Sequence, residues 1–383
     1  MSRDNFLVFG SPRIEADDIQ AVTKVLESGW LGTGPKVKQF EDDFRIYTGT
    51  KYAMALNSCT AGLHLAMVVL GLQPGDEVIT TPLTFCATAN AVIHAGGRPV
   101  FVDIDPQTLN IDPDKIEAAI TSKTKAILPV HFAGRPAAMD KIMSIAKKHN
   151  LKVVEDCAHA IETEYHGQKA GTFGDIGCFS FYVTKNIVTG EGGMVVTNNE
   201  DYADKIKMYG LHGMSRDAWK RFSDEGFKHY QVVFPGFKYN MMDIQAALGI
   251  QQLKKIDRFY NRRNETWAEY NKRLKKLPLI LPAPFEAKTK HALHLYTVLL
   301  NTDKTKMKRD DLLNALIKEN IGTGVHYTAL HLHPYYKKTF GYKAGDFPQT
   351  EYIADRILSL PISAKLEQTD VDDVIFALEK ILS

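Results

Sequence analysis

The sequence predicts an α/β protein, with a mostly parallel sheet in a large N-terminal domain and a smaller α/β domain at the C-terminal end. From Tyr52 onward, short apolar runs alternate with helical patterns, which is typical of a parallel sheet covered by helices. The chain has 383 residues, enough for two domains, and its 44% hydrophobic and 24% charged residues are ordinary for a globular protein. We expect the two domains to span 1–250 and 251–383.

Two helices are predicted before the sheet begins. Ile14–Ser28 carries apolar residues at helical spacing and ends at Gly29, and a second helix has its apolar face from Val37 to Phe44. From the sequence alone, the intervening loop Trp30–Pro35 is interpreted as a helix-to-helix turn.

The large domain is predicted to contain seven strands and four further helices. The predicted strands are Tyr52–Leu56, Glu77–Thr80, Pro99–Ile104, Lys125–His131, Leu151–Glu155, Gly177–Tyr182 and Met194–Thr197. The predicted helices lie near Ala61–Gly71, Ala87–His94, Asp114–Thr121 and Met139–Asn150. In such a sheet, ligands are expected outside the carboxyl ends of the strands.

The polar and aromatic segment Asp217–Pro235 predicts a long mobile loop, and a long helix follows from Met241 to about Leu277, with a break near Asp257. Basic residues on this helix are interleaved with acidic and apolar ones, which favours a solvated helix face over a nucleic-acid-binding face. The small domain is predicted to contain the strand His294–Leu300, the helix Lys308–Glu319 and a C-terminal helix from Asp370.

The formal net charge of +2 argues against a dedicated nucleic-acid or membrane-surface binder. The N-terminus, Met1–Asn5, has no apolar core of signal-peptide length, and no later run is long enough to span a bilayer, so we expect a cytoplasmic protein. Four cysteines, Cys59, Cys86, Cys157 and Cys178, lie far apart and lack paired metal-ligand spacing. We therefore expect reduced thiols and no metal site.

Lys185 follows an apolar run, Ile176–Val183, and precedes a glycine-rich turn. A lysine held there by packing loses its water, and desolvation favours the neutral amine, which can form a Schiff base with an aldehyde. The alternative is a solvated lysine at the end of a strand, which is the commoner situation for a lysine.

The segment Ser180-Phe181-Tyr182-Val183-Thr184-Lys185-Asn186, followed by Gly190-Glu191-Gly192-Gly193, resembles the Schiff-base segment of the DegT/DnrJ/EryC1/StrS family. The resemblance runs from about Gly29 to near the C-terminus. It implies a pyridoxal 5′-phosphate (PLP) aminotransferase of the aspartate aminotransferase fold (type I), acting on nucleotide-linked keto sugars, with 1–250 as the PLP-binding domain. The chain looks most similar to the variant that makes 4-amino-4-deoxy-arabinose for lipid A modification.

Asp156 and His159 lie in the run Glu155-Asp156-Cys157-Ala158-His159, at the carboxyl end of a predicted buried strand. An isolated acid there could equally cap a helix or lie in a loop. The resemblance implies that Asp156 pairs with the pyridine nitrogen of PLP and that His159 contacts its phenolic oxygen.

A phosphate site is predicted at a helix N-terminus, because free backbone N–H groups and the helix dipole favour anions. The run Asn57-Ser58-Cys59-Thr60-Ala61 precedes an apolar helix, and its hydroxyls could also serve only as caps. The resemblance places Ser58, Thr60, Ala61 and Ser180 around the cofactor phosphate.

The resemblance also implies that Phe85 stacks on the cofactor ring, although a phenylalanine at a strand end is more often a core residue. In relatives, the loop that corresponds to Gly236–Ala247 crosses a dimer interface and reaches the cofactor phosphate of the neighbouring subunit. Asn240 is the first candidate for that contact and Lys238 the second.

Trp30, Thr33, Glu191 and His326 are the implied substrate residues, in a homodimer with shared active sites. The implied substrates are L-glutamate and a nucleotide-diphospho-4-keto sugar, with pyridoxamine 5′-phosphate (PMP) formed between the two half-reactions. Amination at C3, a keto-cyclitol acceptor, a sugar dehydratase and a regulatory protein are the alternatives. Lys185 argues against the dehydratase, which carries histidine there, and no helix-turn-helix signature supports the regulator.

Overall fold

The computed structural model describes residues 3–215 and 230–382. Its strands are β1 Tyr52–Leu56, β2 Glu77–Thr80, β3 Arg98–Phe101, β4 Thr124–Ile127, β5 Lys152–Asp156, β6 Glu164–Tyr165, β7 Gln168–Lys169, β8 Ile176–Ser180, β9 Gly193–Thr197, β10 Leu279–Ile280, β11 Thr289–Lys290, β12 Tyr296–Leu300 and β13 Ile357–Leu360. The α-helices are α1 Ala16–Ser28, α2 Pro35–Thr48, α3 Cys59–Val69, α4 Cys86–His94, α5 Met139–His149, α6 Glu200–Tyr209, α7 Asp243–Lys254, α8 Ile256–Arg273, α9 Arg309–Lys318, α10 Pro334–Phe340, α11 Pro348–Ala354 and α12 Gln368–Leu382. Most of the predicted loop Asp217–Pro235 lies outside the described residues.

The main sheet has seven strands in the order β1-β9-β8-β5-β4-β2-β3. Strand β9 is antiparallel to both of its neighbours, and the pairs from β8 to β3 are parallel. Six strands therefore run in one direction, which confirms the predicted mostly parallel sheet.

Helices cover both faces of this sheet. Successive side chains of a strand point to opposite faces, so each strand contributes to two apolar cores. In β8, Cys178 contributes to the core beneath α3, whereas Phe179 contributes to the core beneath α2. The rings of Phe44 in α2 and Phe179 lie 5.1 Å apart at their centroids. The uninterrupted apolar character of β8 follows from burial on both faces.

A second, three-stranded sheet, β10-β12-β13, lies in the C-terminal part of the chain. Its antiparallel strands pack with α8, α9 and α12 around a separate apolar core, to which Leu7 also contributes. The predicted long helix is two helices, α7 and α8, with the break at Lys255. The division into 1–250 and 251–383 stays a prediction.

The helix predicted at Asp114–Thr121 is wrong: two 3₁₀ turns occupy Pro113–Lys115 and Glu117–Ala119. The Asp112 carboxylate accepts the backbone N–H of Asp114 and closes the first turn locally, which competes with a regular helix. The strand predicted up to His131 ends at Ile127, two residues before Pro129, which has no N–H to donate.

The structure also addresses two expectations about the environment of the chain. In the described part, no helix combines the length and the apolar character that crossing a membrane requires. Cys59, Cys86, Cys157 and Cys178 are free thiols, as expected.

Candidate active site

The fold brings the predicted catalytic residues to the carboxyl edge of two neighbouring strands. Asp156 ends β5 and pairs in register with Cys178 of β8. Beyond β8 the chain turns, and the backbone N–H of Lys185 donates to the carbonyl of Tyr182 at 2.8 Å. Because β5 and β8 are parallel, the acid and the lysine both lie at the carboxyl edge of the sheet.

The Lys185 amine is enclosed, although the residue as a whole is only partly buried. Burial lowers its pKa to about 8, while the Cys59 thiol and the Asp156 carboxylate act in the opposite direction. Only burial and charge–charge interactions act on the pKa of this amine, with no hydrogen bond from it to another described residue. With a pKa near 8, about one fifth of this amine is neutral at pH 7.4, far more than for a lysine with the ordinary pKa of 10.5.

Asp156 is 4% exposed, and each carboxylate oxygen accepts one hydrogen bond. Thr88 Oγ1 donates to Oδ2 at 2.8 Å, and the Ala158 N–H donates to Oδ1 at 3.0 Å. Burial raises the pKa of Asp156, and these two hydrogen bonds oppose the rise. Thr84, which precedes α4, has its Oγ1 2.8 Å from Oγ1 of Thr88 on the first turn of the helix, so a pair of hydroxyls supports the acid. Thr88 could not be predicted from the sequence, because its contact with Asp156 forms only when α4 packs against the end of β5 in the folded protein.

His159 is buried beside Lys185 and contacts Tyr327, a residue that the sequence analysis did not select. The Ala133 N–H donates to His159 Nδ1 at 3.2 Å, and Tyr327 Oη lies 3.2 Å from Nε2. Burial lowers the pKa of His159 well below its usual value, and the nearby Lys185 adds to that effect. Tyr327 comes from the segment after α9, so its approach could not be read from local sequence.

A buried hydrogen-bond network holds the residue that follows Lys185. The Asn186 amide donates to Glu162 Oε2 at 2.7 Å and to the Ala292 carbonyl at 2.9 Å, and its oxygen lies 3.1 Å from His294 Nδ1. Glu162 also pairs with Arg263 of α8. This network joins Lys185 to the C-terminal part of the chain, and only the tertiary structure reveals it.

The predicted phosphate cup is formed by the N-terminus of α3 and the facing ends of two strands. Ser58 caps the helix, with Oγ accepting the Ala61 N–H at 3.1 Å. Ser180 lies opposite Gly193 in the β8–β9 ladder. A Cβ on Gly193 would lie 2.5 Å from the backbone nitrogen of Cys59, so this glycine allows β9 to approach the helix. Thr60 is exposed on the first turn, and the first N–H groups of a helix lack intrahelical acceptors.

Phe85 precedes α4 and is 57% exposed, so it is not a core residue. Its ring centroid lies 6.0 Å from that of Tyr327. The two rings line a cavity of about 540 Å³, which also contains Asn90, His333 and Tyr335. Thr84, which supports Thr88 and through it Asp156, also lines this cavity.

Asn240 and Lys238 lie against the strand that leads into the phosphate cup, since Leu56 forms a β-bridge with Asn240. Asn240 Nδ2 donates to Thr33 Oγ1 at 2.6 Å, whereas the exposed Lys238 amine has no acceptor among the described residues. Trp30 is also exposed, and its Nε1–H donates to the Thr33 carbonyl at 3.3 Å.

Trp30 lines a cavity of about 430 Å³ between α1, α2 and α7. Among the described residues that line this cavity, neither Lys185 nor Asp156 is present. The assignments of Trp30, Thr33, Lys238 and Asn240 to substrate and phosphate stay predictions.

The two remaining predicted substrate residues have different environments. Glu191 is exposed, and its carbonyl accepts hydrogen bonds from Thr189 and Gln245, which fixes the glycine-rich turn. His326 Nδ1 lies 2.8 Å from Ser359 Oγ, and burial lowers the pKa of His326 to about 4. His326 is therefore a neutral imidazole in the same cluster as His159.

One buried group, His131, Glu155 and Cys157, has side-chain atoms close enough to hold a metal ion. The Glu155 oxygens, however, accept the backbone N–H groups of Gly171, Phe173 and Gly174. His131 Nδ1 accepts the Ala137 N–H, which leaves the proton on Nε2 to donate to Glu155 at 3.0 Å. The ring nitrogens of His131 and the carboxylate oxygens of Glu155 are thus used in hydrogen bonds within the protein, so we interpret this group as structural.

Comparison with known proteins extends the resemblance to almost the whole chain. The model of the DegT/DnrJ/EryC1/StrS aminotransferase family matches residues 12–379. The spore coat polysaccharide biosynthesis protein SpsC of Bacillus subtilis (strain 168) is 49% identical over 381 residues, which cover 99% of this chain and 98% of SpsC.

Two solved structures share the fold closely. Helicobacter pylori PseC, an aminotransferase involved in the biosynthesis of pseudoaminic acid, has a TM-score of 0.92 at 31% identity, with 99% of each chain covered. Spr1654 of Streptococcus pneumoniae, solved in a PLP form, has a TM-score of 0.90 at 31% identity, with 99% of this chain and 100% of that chain covered. A PMP form of Spr1654 matches with a TM-score of 0.91.

These matches confirm the predicted type I fold, the enzyme class and the cofactor. With a family model that spans nearly all of its length, the chain belongs to the DegT/DnrJ/EryC1/StrS family of PLP-dependent aminotransferases.

Proposed function

We propose that this enzyme transfers an amino group from L-glutamate to a nucleotide-diphospho-4-keto sugar, either a 6-deoxy sugar or a pentose, in the biosynthesis of a surface glycan. The observation that carries the proposal is the enclosed Lys185 amine, with its pKa lowered to about 8 and no hydrogen bond from it to another described residue. The roles of SpsC in spore coat polysaccharide biosynthesis and of PseC in pseudoaminic acid biosynthesis support a sugar acceptor.

The side chains around Lys185 fit PLP. When bound, PLP supplies an aldehyde that accepts an amine and a ring that takes up the electron pair released when a C–H bond breaks. Lys185 would hold the aldehyde carbon, and the Asp156 carboxylate would face the pyridine nitrogen. The donors for the phosphate would be Ser58, Thr60 and Ser180, the backbone at Ala61, and, from a partner subunit, Asn240 or Lys238, while Phe85 would cover the ring face.

In this assignment Lys185 has two roles. It would first hold the cofactor, and once the incoming amine has displaced it, its neutral Nζ would take a proton from the substrate carbon bonded to the nitrogen and return it to the cofactor C4′ carbon on the other side of that nitrogen. A pKa near 8 suits both directions of this transfer, because neither the amine nor the ammonium form is strongly favoured. The paired hydroxyls of Thr88 and Thr84 hold the acid at the opposite side in one orientation.

The sugar acceptor would occupy the cavity beside Phe85 and Tyr327, and Trp30, Thr33, Glu191 and His326 are assigned to the substrate. We propose a homodimer with shared active sites, because in relatives the loop that corresponds to Gly236–Ala247 crosses a dimer interface. A cytoplasmic location is proposed from the four free thiols.

Three enzyme alternatives remain: amination at C3 and a keto-cyclitol acceptor, which would use the same residues, and dehydration of the sugar, which in the relatives with that activity replaces the lysine with histidine. A regulatory protein is a fourth alternative, from a different class. Lys185 opposes the dehydratase and the regulator, since neither requires a nucleophilic amine at this position.

The test is an assay of the purified protein with PLP, L-glutamate and a panel of keto sugars that differ in nucleotide, in the position of the keto group and in C6. Formation of 2-oxoglutarate with a 4-keto sugar, and its absence with 3-keto sugars and keto-cyclitols, is expected. Borohydride reduction followed by peptide mass spectrometry is expected to place a pyridoxyl group on Lys185. Turnover by the Lys185→Arg variant at the parent rate would refute the proposal.

A further inference from the structure

His159 uses both of its ring nitrogens within the protein. Nδ1 accepts the backbone N–H of Ala133, so this nitrogen carries no proton. The ring is then neutral, its proton is on Nε2, and the Nε2–H group donates to Tyr327 Oη at 3.2 Å. Burial, together with the nearby Lys185, lowers the pKa of His159 well below its usual value, in agreement with a neutral ring.

The hydroxyl hydrogen of Tyr327 is left available by this arrangement. Its oxygen accepts from His159, and across residues 3–215 and 230–382 the hydroxyl has no second hydrogen-bond partner. Burial raises the pKa of Tyr327, so the proton stays on the oxygen throughout the physiological range. Tyr327 is half-buried and lines the cavity of about 540 Å³ beside Phe85, so a ligand oxygen in that cavity can accept this hydrogen.

Tyr327 also contacts the two residues that the resemblance assigns to the face and the edge of the cofactor ring. Its ring centroid lies 6.0 Å from that of Phe85, and it is stacked at 16° against His159 with a centroid distance of 6.2 Å. The segment that carries Tyr327 packs on Phe132 and Leu83, next to the strand ends that hold the site.

We propose that Tyr327 donates its hydroxyl hydrogen to the phenolic oxygen of PLP, and that His159 is a positioning residue that orients this hydroxyl. The inference rests on the proposed function. It corrects the expectation that His159 itself makes this contact, because the Nε2–H group of His159 is already donated to Tyr327.

Several titratable groups face the pair and belong to its electrostatic environment. Lys185, His294 and His326 lower the pKa of His159, and Asp156 and Cys86 act on Tyr327. Burial lowers the pKa of His294 and His326, so both are neutral at pH 7. The charge close to the pair is therefore that of Lys185 and Asp156 in the parent chain and in a variant that lacks only the hydroxyl.

The experiment is a pH titration of the visible absorbance of the PLP-loaded protein, in the parent and in Tyr327→Phe. A donor stabilises the phenolic oxygen most when the neighbouring proton is lost and the oxygen carries its full negative charge. Loss of the donor is therefore expected to move the titration midpoint to higher pH by about one unit, the size expected for one hydrogen bond to a charged oxygen. Tyr352→Phe, which changes an exposed phenol beside Arg356, is the matched control and is expected to titrate like the parent.

A second comparison keeps the test independent of folding defects. Tyr327→3-fluorotyrosine retains the ring and the hydroxyl but is a stronger donor, so its midpoint is expected to move to lower pH. The affinity of Tyr327→Phe for 3-O-methyl-PLP, which lacks the phenolic hydroxyl, is expected to equal that of the parent, while its affinity for PLP falls about tenfold.

An unchanged midpoint in both variants would overturn the inference, even if turnover with the keto sugar fell, because the hydroxyl would then act on the substrate. A parent protein without borohydride-sensitive visible absorbance would overturn the proposed function and this inference together. Normal parent absorbance with unshifted variants would overturn the inference alone.

Discussion

Asn240 Nδ2 donates a hydrogen bond of 2.6 Å to Thr33 Oγ1, which in turn donates to the Met241 carbonyl at 2.6 Å. These contacts join two segments that the sequence assigns to different ligands, the loop Trp30–Pro35 to the sugar and the segment around Asn240 to phosphate. Asp243 strengthens the connection, since its buried carboxylate accepts the backbone N–H groups of Gly34, Lys36 and Val37 at the start of α2. The two segments therefore form one structural unit.

Thr33→Val tests this coupling, because valine keeps the shape and removes the shared hydroxyl. We expect the KM for the keto sugar and the Kd for PLP to rise together, each by about three- to tenfold. This range corresponds to the net free energy of one ordinary hydrogen bond. Thr23→Val, which removes an exposed hydroxyl bonded within α1, is the control and is expected to change neither constant. A change in the KM alone would mean that the phosphate contact does not depend on Thr33.

The fold could be predicted from the sequence where burial is uniform along an element. Strands β1, β2, β5, β8 and β9 are apolar runs with burial on both faces, and their predicted bounds agree with the structure to within about two residues. The antiparallel direction of β9 could not be predicted, because a buried strand has the same apolar pattern in either direction. Helix α6 and strand β13 were not predicted; α6 is largely polar, so its apolar pattern is weak.

The positions of candidate site residues at the edge of the sheet could be predicted where these residues lie in contiguous motifs, whereas their roles stay predictions. Lys185, Asp156 and the cap at Ser58 are of this kind, and the structure brings each to the expected edge of the sheet. Thr88 and Tyr327 were missed, because each contacts the site through tertiary packing, and one tyrosine or threonine carries no local signal of a distant partner.

Asp156→Asn is expected to lower kcat by about 10²–10³-fold, because a neutral amide cannot stabilise the positive charge on the pyridine nitrogen. Thr88→Val removes one of the two hydrogen bonds to the Asp156 carboxylate, raises its pKa further and is expected to lower kcat by about tenfold. Thr84→Val, which removes only the hydroxyl that supports Thr88, is expected to have a smaller effect. Steady-state kinetics at saturating substrate measure kcat for all three variants. An equal fall in kcat in the two threonine variants would contradict the inference that Thr88 acts directly on Asp156 and Thr84 acts only through Thr88.

Gly193→Ala tests the close approach of β9 to the phosphate cup. The new Cβ would lie 2.4 Å from the Ser58 carbonyl carbon and 2.5 Å from the Cys59 nitrogen, so either the strand or the helix must move. We expect a loss of about 1–3 kcal/mol in the free energy of unfolding and a higher Kd for PLP. Gly32→Ala, where a Cβ meets no atom within 4 Å, is the control for both measurements. Unchanged PLP affinity in Gly193→Ala would remove this turn from the phosphate site.

Lys185 is expected to destabilise the cofactor-free protein at neutral pH. The unfolded chain protonates this amine below its ordinary pKa of 10.5, whereas the folded chain does so only below about 8. The folded state thus carries a cost that is complete below pH 8 and disappears as the pH rises from 8 to 10.5. Lys185→Met is expected to raise the free energy of unfolding by about 2–3 kcal/mol at pH 7 and by little at pH 10.5. Urea denaturation at both pH values measures the difference, and a pH-independent gain would indicate a packing effect.

The same lowered pKa predicts how fast the cofactor-free enzyme takes up PLP. Only the neutral amine of Lys185 can attack an aldehyde, so the rate of attachment should follow the neutral fraction of that amine. Stopped-flow absorbance is expected to give a rate that rises with pH, with its midpoint at about 8, and then levels off. A solution of Nα-acetyl-lysine, whose side-chain amine is free, provides the comparison in the same buffers, with a midpoint expected near 10.4. If Lys185 also titrated near 10.4, its amine would be solvated in the cofactor-free protein, and the enclosure that carries the proposed function would be absent.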